Sequence, residues 1–207
     1  VKLDVDPGKR YISRKRSVAS NPIQDVFKQV NKRFVELEES DPDKLKDPKW
    51  MKENLPFTGE LFLGHLRYGT FGSNTIEQCH PFLRQNNWKT RNLVLAGNFN
   101  MTNVDELFEQ LLDLGQHPKQ MADTVTILEK IGHFLDEAND DIYYENREKF
   151  SKKEITKVIE DKLDLQDVLT QSAKYWDGGY VMCGLLGHGD AFALRDPNAI
   201  RPAYFYK

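Results

Sequence analysis

The sequence has few cysteines and no long apolar run. Only Cys79 and Cys183 occur among 207 residues, which is too few for a disulfide framework and favours a reducing, cytoplasmic location. No apolar run approaches the roughly 18 residues that a membrane-spanning helix needs. The cysteines and histidines show no spacing typical of metal ligands, so we expect no metal site.

The sequence also lacks an excess of charge of either sign. It has 29 Lys and Arg residues against 32 Asp and Glu residues, a formal net charge of -3 and a pI near 6.0. Because nothing predicts a strongly basic surface, we expect neither a nucleic acid nor a membrane as a partner. A length of 207 residues with 39% hydrophobic residues favours one domain with one sizeable core.

The first part of the chain predicts a strand and a helix. Alternating apolar and polar residues at 1–5 indicate the strand. Asn21 before a proline indicates a helix start. The helix should pack on the core through apolar residues at helical spacing, which are Ile23, Val26, Phe27, Val30, Phe34 and Leu37. The acidic, proline-containing stretch at 36–54 is predicted to be a surface connection.

The middle of the chain predicts a strand at 92–96 that ends on Gly97 and Asn98, followed by helices. Asn103 and Glu106 form a predicted capping box, and Gly115 should end that helix. A further helix should follow position 123, and the charged stretch at 139–150 is predicted to be irregular.

The last third predicts a helix and a β-hairpin. Ser151 and Glu154 form a second predicted capping box, which opens a helix that could continue to Leu169. Strands are predicted at 180–186 and 191–194, joined by a tight turn. Since strands and helices occur in groups and do not alternate strictly, the fold class is predicted to be α+β, with sheets covered by helices.

Three separated residues could form an amino-acid pocket. Arg67 follows the apolar run at 61–63, where its planar guanidinium could bind a carboxylate through two parallel hydrogen bonds. Asn98 and Asp123 could supply further polar groups to the same pocket. Simpler alternatives stay open, since Arg67 could be an ordinary surface or ion-pair residue and Asp123 could be a helix N-cap.

Three runs of sequence resemble motifs of one enzyme family. The run G-H-L-R-Y-G-T at 64–70 is similar to its G-H-x-R-Y-x-T, and G-N-F-N-M-T-N at 97–103 is similar to its H-N-G-N-L-T-N. The run D-P-N-A-I-R-P at 196–202 is similar to its D-P-N-G-I-R-P. Of the three runs, this one best distinguishes the family from related sugar-phosphate aminotransferases. The chain therefore resembles, over 61–207, the glutaminase domain of the amidophosphoribosyltransferases, which are class II glutamine amidotransferases of the N-terminal nucleophile type.

This resemblance implies stacked, mainly antiparallel sheets flanked by helices (αββα), with the first strand missing. Residues 1–207 would be one glutaminase domain, incomplete at both ends, and the phosphoribosyltransferase domain would be absent. The parent enzyme would hydrolyse glutamine and transfer ammonia to phosphoribosyl pyrophosphate, which gives phosphoribosylamine for purine biosynthesis. The parent would be a homo-oligomer. No cofactor is expected in this fragment, and magnesium is expected with phosphoribosyl pyrophosphate in the missing domain.

The resemblance also implies a role for each matching residue. Arg67 would bind the α-carboxylate of glutamine and Asp123 its α-ammonium group. Tyr68 and Thr70 would lie beside the pocket and couple glutamine cleavage to the acceptor site.

An oxyanion hole would come from the second motif. The Asn98 side chain and the backbone N–H of Phe99 would donate to the oxyanion of the tetrahedral intermediate. The family usually has glycine at the position of Phe99, so a side chain enters where only hydrogen was expected. Ala199 also replaces a usual glycine, and Val125 a usual glutamate, and both changes look tolerable.

The largest departure is at position 1. The family's nucleophile is a cysteine at the first residue of the mature chain, whose own α-amino group is the base. Here residue 1 is Val1, so this fragment is expected to be inactive. Two alternatives stay open: a non-catalytic glutamine-binding relative, and a sugar-phosphate aminotransferase of the glucosamine-6-phosphate synthase type, which would carry Trp in place of Tyr68.

Overall fold

The structure is a computed structural model that describes residues 1–66 and 75–207. The chain divides into two compact units, residues 1–81 and residues 82–207, which are described separately. None of the helices in the described ranges is long and apolar enough to cross a membrane.

The described residues of unit 1 form two α-helices, α1 (Pro22–Ser40) and α2 (Pro48–Asn54). The predicted start of α1 is confirmed, because the Asn21 side chain accepts a hydrogen bond from the backbone N–H of Gln24. The predicted strand at 1–5 is wrong, because that segment has no strand structure. The apolar run at 61–63 has no strand structure either. A few long-range backbone hydrogen bonds nevertheless join the two segments, including those that the Val1 carbonyl accepts from residues 60 and 61.

The predicted packing of α1 is also wrong. No residue of α1 is buried, and Phe27 remains 60% exposed. The principal contact of α1 with another element is with the short 3₁₀ turn at 42–46, which follows it directly. The apolar spacing therefore predicted the helix correctly but could not identify what the helix packs against.

Unit 2 contains a four-stranded antiparallel sheet in which the strands are ordered as in the sequence. Its strands are β1 (Phe82–Arg84), β2 (Leu93–Met101), β3 (Gly178–Leu186) and β4 (Ala191–Arg195). Its helices are α3 (Val104–Asp113), α4 (Asp123–Asn146), α5 (Lys152–Lys162) and α6 (Leu165–Ser172). Helices with an antiparallel sheet confirm the α+β class, and a second, stacked sheet stays a prediction.

The core of unit 2 lies between one face of the sheet and the helices. Alternate strand residues, including Leu93, Leu95 and Met182, pack against apolar residues of α4 such as Ile127 and Leu135. Alternation places the remaining residues of β2 and β3 on the opposite face of the sheet.

Two predicted boundaries among the helices are wrong. Helix α4 continues through the charged stretch to Asn146. It does so because Asn139, although polar, is fully buried with partners: its amide donates to the Leu135 carbonyl at 2.7 Å and its oxygen accepts from the Thr90 hydroxyl at 2.5 Å. The helix that follows Ser151 ends at Lys162 and does not take the possible continuation to Leu169, because Asp164 caps a new helix. The Ser151 capping box is confirmed.

Candidate functional site

Asn98 lies within strand β2, and the prediction that the strand ends there is wrong. The antiparallel register continues through Asn98, opposite Val181, to Met101. The Asn98 side chain is exposed, as is that of Asn100, two residues further along the strand. Since both alternate with the core-facing Phe99, the two amides project from the sheet face opposite the helices.

The Phe99 side chain packs beside Gly97. A Cβ atom at position 97 would lie 2.6 Å from Cζ of Phe99 and 2.6 Å from the backbone oxygen of Val181, so only glycine fits there. Phe99 has an ordinary strand conformation and is absent from the described residues with positive φ. The backbone at position 99 therefore does not need the conformational freedom of the glycine that Phe99 replaces, and the position retains its N–H.

Asp123 is the first residue of α4, and the N-cap position belongs to Ala122. Its Oδ2 accepts a hydrogen bond from the backbone N–H of Met101 at 3.1 Å. The alternative interpretation of Asp123 as a helix cap is therefore wrong. Within the described residues Oδ1 of Asp123 accepts no hydrogen bond, so half of the carboxylate remains available next to the end of β2.

Polar contacts fasten the end of β2 to the start of β3. The Asn103 side chain, predicted to cap α3, makes no capping bond. Instead its amide donates to the Tyr175 carbonyl at 2.8 Å, and its oxygen accepts from the backbone N–H of Asp177 at 3.3 Å. The Thr102 hydroxyl bonds the Asp177 carboxylate. No local sequence pattern connects Asp177 to Thr102, which is 75 residues away.

The last motif forms a tight turn organised by Asp196, which is only 2% exposed. Its two carboxylate oxygens accept from the backbone N–H groups of Ile200 at 2.9 Å and Arg201 at 3.1 Å. Burial by itself would raise the pKa of Asp196, but these and other backbone N–H donors hold that pKa below its ordinary value. Ala199 has a φ of 56°, in the left-handed region. Alanine is therefore strained at this position, contrary to the expectation that its replacement of glycine is tolerable.

Three predicted pocket residues, Arg67, Tyr68 and Thr70, lie outside the described residues. The geometry consequently brings together only Asp123 and the strand that carries Asn98. Among residues 1–66 and 75–207, no group of three His, Cys, Asp or Glu side chains is arranged to hold a metal ion.

Comparison with known proteins identifies relatives by sequence. No protein-family model matches the chain. A Pasteurella multocida amidophosphoribosyltransferase is 28% identical over 202 residues, which is 97% of this chain and 31% of that protein. The Pseudomonas aeruginosa and Saccharomyces cerevisiae proteins of the same name are each 28% identical over 71% of this chain. The matched regions are 26% and 25% of the lengths of those two proteins. The chain thus spans about a third or less of these relatives.

Two solved structures are also similar to this chain. One is a B. subtilis glutamine phosphoribosylpyrophosphate amidotransferase, with 23% identity, 67% of this chain and 23% of that chain covered, and a TM-score of 0.43. The other is described as the allosteric regulatory enzyme of purine biosynthesis, with 24% identity, 67% and 24% covered, and a TM-score of 0.45. Because both scores are below 0.5, the fold assignment depends on the sheet and helices of this chain.

These findings confirm the resemblance that the motifs predicted. The chain is an α+β protein similar in sequence to known transferases. In particular, it is similar to a segment of the amidophosphoribosyltransferases, from bacteria as well as from yeast.

Proposed function

We propose that this chain is part of the glutaminase domain of an amidophosphoribosyltransferase. The complete protein would hydrolyse glutamine and transfer the ammonia to phosphoribosyl pyrophosphate, which gives phosphoribosylamine for purine biosynthesis. The observation that carries this proposal is the alignment of 97% of the chain with a protein of that name.

Glutamine would be recognised through its two charged α-substituents. Arg67 would bind the α-carboxylate through its planar fork, and Asp123 would bind the α-ammonium group. The position of Asp123 supports this role, because Oδ2 is held by the backbone of Met101 while Oδ1 has no partner in the described part of the chain. A carboxylate fixed in this way loses little side-chain freedom when it binds a ligand.

The oxyanion would be stabilised from β2. The exposed amide of Asn98 and the backbone N–H of Phe99 would donate to the oxygen that becomes negative as the amide is attacked. Tyr68 and Thr70 would lie beside this pocket and couple it to the acceptor site.

The 207-residue polypeptide itself is proposed to lack glutaminase activity. The Val1 side chain offers no thiol or hydroxyl to act as the nucleophile, and the Val1 amino group donates to the Leu61 carbonyl at 2.7 Å. Cys79 and Cys183 are internal, so neither has a free α-amino group to act as its base. On the resemblance we also propose that the complete enzyme is a cytoplasmic homo-oligomer that uses magnesium with phosphoribosyl pyrophosphate.

The test compares two asparagines of β2 in the complete protein. Asn98→Ala removes the proposed oxyanion donor, so kcat for glutamine hydrolysis should fall by about 10²–10³-fold with a smaller change in KM. Asn100→Ala is the matched control, because Asn100 is exposed on the same strand. Equal activity in Asn98→Ala and wild type would contradict the proposed role, as would an equal loss in both variants. Absence of glutaminase activity in the wild-type complete protein would overturn the proposed function.

A further inference from the structure

Unit 2 has an open cavity of about 840 Å³ that none of the motifs occupies. The loop at 85–88 and Arg91 form one side, and Asp140, Tyr143 and Tyr144 near the end of α4 form the other. We call this the aromatic pocket. Its volume lies within the range of about 300–1,000 Å³ typical of small-molecule sites.

The loop on one side of the aromatic pocket is held by hydrogen bonds to the buried side chain of Asn92. The Asn92 side chain, 1% exposed, accepts from the Asn86 N–H at 2.8 Å and donates to the Asn86 and Trp88 carbonyls at 3.0 and 2.8 Å. The Asn86 side chain in turn accepts from the Trp88 N–H at 2.9 Å. Because these backbone groups are satisfied within the protein, the loop presents mainly its side chains to the cavity.

The ring side chains form a rigid wall. Trp88 and Tyr143 meet edge to face, with centroids 5.9 Å apart at 90°, and Tyr143 and Tyr144 meet at 5.5 Å and 79°. Aromatic rings in such mutual contact present flat surfaces without a large loss of conformational entropy on binding. Rings of this kind bind other flat or ring-shaped groups by stacking.

The charged groups of the aromatic pocket compensate one another. Arg91 bonds Asp140, and its guanidinium lies 3.6 Å from the Asp136 carboxylate and 5.7 Å from the Trp88 ring centroid. Among the described residues, no cation without a carboxylate partner lines the cavity, so a phosphate would gain little there. The amides of Gln85 and Asn87 make no hydrogen bond with other described residues, and they can both donate and accept.

We propose that the aromatic pocket binds an uncharged ring with hydrogen-bonding edges, either a sugar or a nucleobase. The ring would stack on the aromatic wall, and the exposed amides of the loop would bind its polar edge. This site is separate from the residues assigned to glutamine, and it does not depend on the function proposed above.

The experiment follows the indole N–H resonance of Trp88 by NMR in the 207-residue protein, assigned with Trp88→Phe. Cytidine and methyl β-glucoside are the neutral probes, and cytidine 5′-monophosphate is the anionic counterpart of the first. At least one neutral probe should shift this resonance saturably, with a Kd of about 1 mM or tighter for a ligand of this size. Which probe binds identifies the source of the ring.

Tyr144→Ala should weaken that binding about tenfold or more, because it removes an aromatic wall. Tyr144 is 60% exposed, so its removal should leave the fold intact, and Tyr204→Ala, at a residue 97% exposed and outside the cavity, is the control that should bind normally. Cytidine 5′-monophosphate should bind no better than cytidine. No saturable shift with either neutral probe, binding that Tyr144→Ala does not weaken, or clearly tighter binding of the phosphorylated probe would each overturn the proposal.

Discussion

Gly132, within helix α4, provides a sharp test of how this helix is attached to the sheet. In an ordinary helix interior, replacing glycine by alanine stabilises a protein by about 1 kcal/mol. Here a Cβ atom at position 132 would lie 2.2 Å from Nε and 2.4 Å from Cδ of Arg84, on strand β1. The Arg84 side chain would therefore have to move.

Arg84 is not free to move without loss. Its Nη2 lies 2.6 Å from the Asp136 carboxylate and its Nε 3.1 Å from that of Glu129, both on α4. Hydrogen bonds to charged groups contribute about 1.5–3 kcal/mol each. The Arg84 side chain is 19% exposed and the two acidic side chains 28% each, so solvent weakens these hydrogen bonds. We take their combined contribution to the free energy of unfolding as about 2–3 kcal/mol. After the helix gain, Gly132→Ala should destabilise the protein by about 1–2 kcal/mol.

Urea unfolding of four proteins tests this reasoning: wild type, Gly132→Ala, Arg84→Ala and the double variant. In the Arg84→Ala background the steric conflict is absent, so Gly132→Ala should stabilise by about 1 kcal/mol. The sign of its effect should thus reverse between the two backgrounds. If Gly132→Ala stabilises the wild-type protein, the close packing of Arg84 on α4 is wrong.

Three further predictions concern the motif at 196–202 and the proposed glutamine site. Ala199→Gly should stabilise by about 0.5–1 kcal/mol in urea unfolding, because relief of left-handed strain exceeds the entropy gained by the unfolded chain; a destabilised variant would contradict this. The pKa of Asp196 is lower in the folded state than in the unfolded chain, so its contribution to stability is complete above about pH 4 and is lost as the pH falls through the folded value. The difference in unfolding free energy between wild type and Asp196→Asn should therefore shrink on acidification, and a constant difference from pH 6 to pH 2 would refute it. Asp123→Asn keeps an acceptor for the Met101 N–H, so it should cost less than about 1 kcal/mol of stability while raising the glutamine KM of the complete protein by about 30-fold or more. An unchanged KM would exclude Asp123 from ammonium binding.

Local signals in the sequence predicted local structure well. The Ser151 capping box and the start of α1 at Asn21 involve residues within three positions of each other, and both are as predicted. Gly115 also ends α3 as predicted, with a φ of 77° and its N–H on the Leu112 carbonyl. The physics of these motifs is contained in a few neighbouring residues, so sequence alone is sufficient.

Errors occurred where a distant partner decides the structure. The stretch that begins at Asn139 was predicted to be irregular, but it is helical, and the Asn139 side-chain oxygen accepts a hydrogen bond from the Thr90 hydroxyl, 49 positions away. Gly97 looks like a strand end, whereas it is a glycine because the Phe99 ring and β3 leave no room for a Cβ atom. Asp123 looks like a cap, but its partner is the backbone of Met101, which no side-chain pattern can reveal.

The candidate site was predictable in its residue types and only partly in its geometry. Charge, amide and guanidinium groups can be read from the motifs, because their chemistry belongs to the residue type. Their convergence depends on which strand and helix carry them. Asp123 beside the end of β2 is the part of that arrangement that the described residues contain.

The most direct test of the central claim is an experimental structure of the complete protein with glutamine bound. We predict that Arg67 contacts the α-carboxylate, Asp123 the α-ammonium group and Asn98 the side-chain carbonyl oxygen of one glutamine molecule, each within about 3.2 Å. A glutamine bound elsewhere, or these three side chains facing different cavities, would contradict the assignment of this chain as a glutaminase domain.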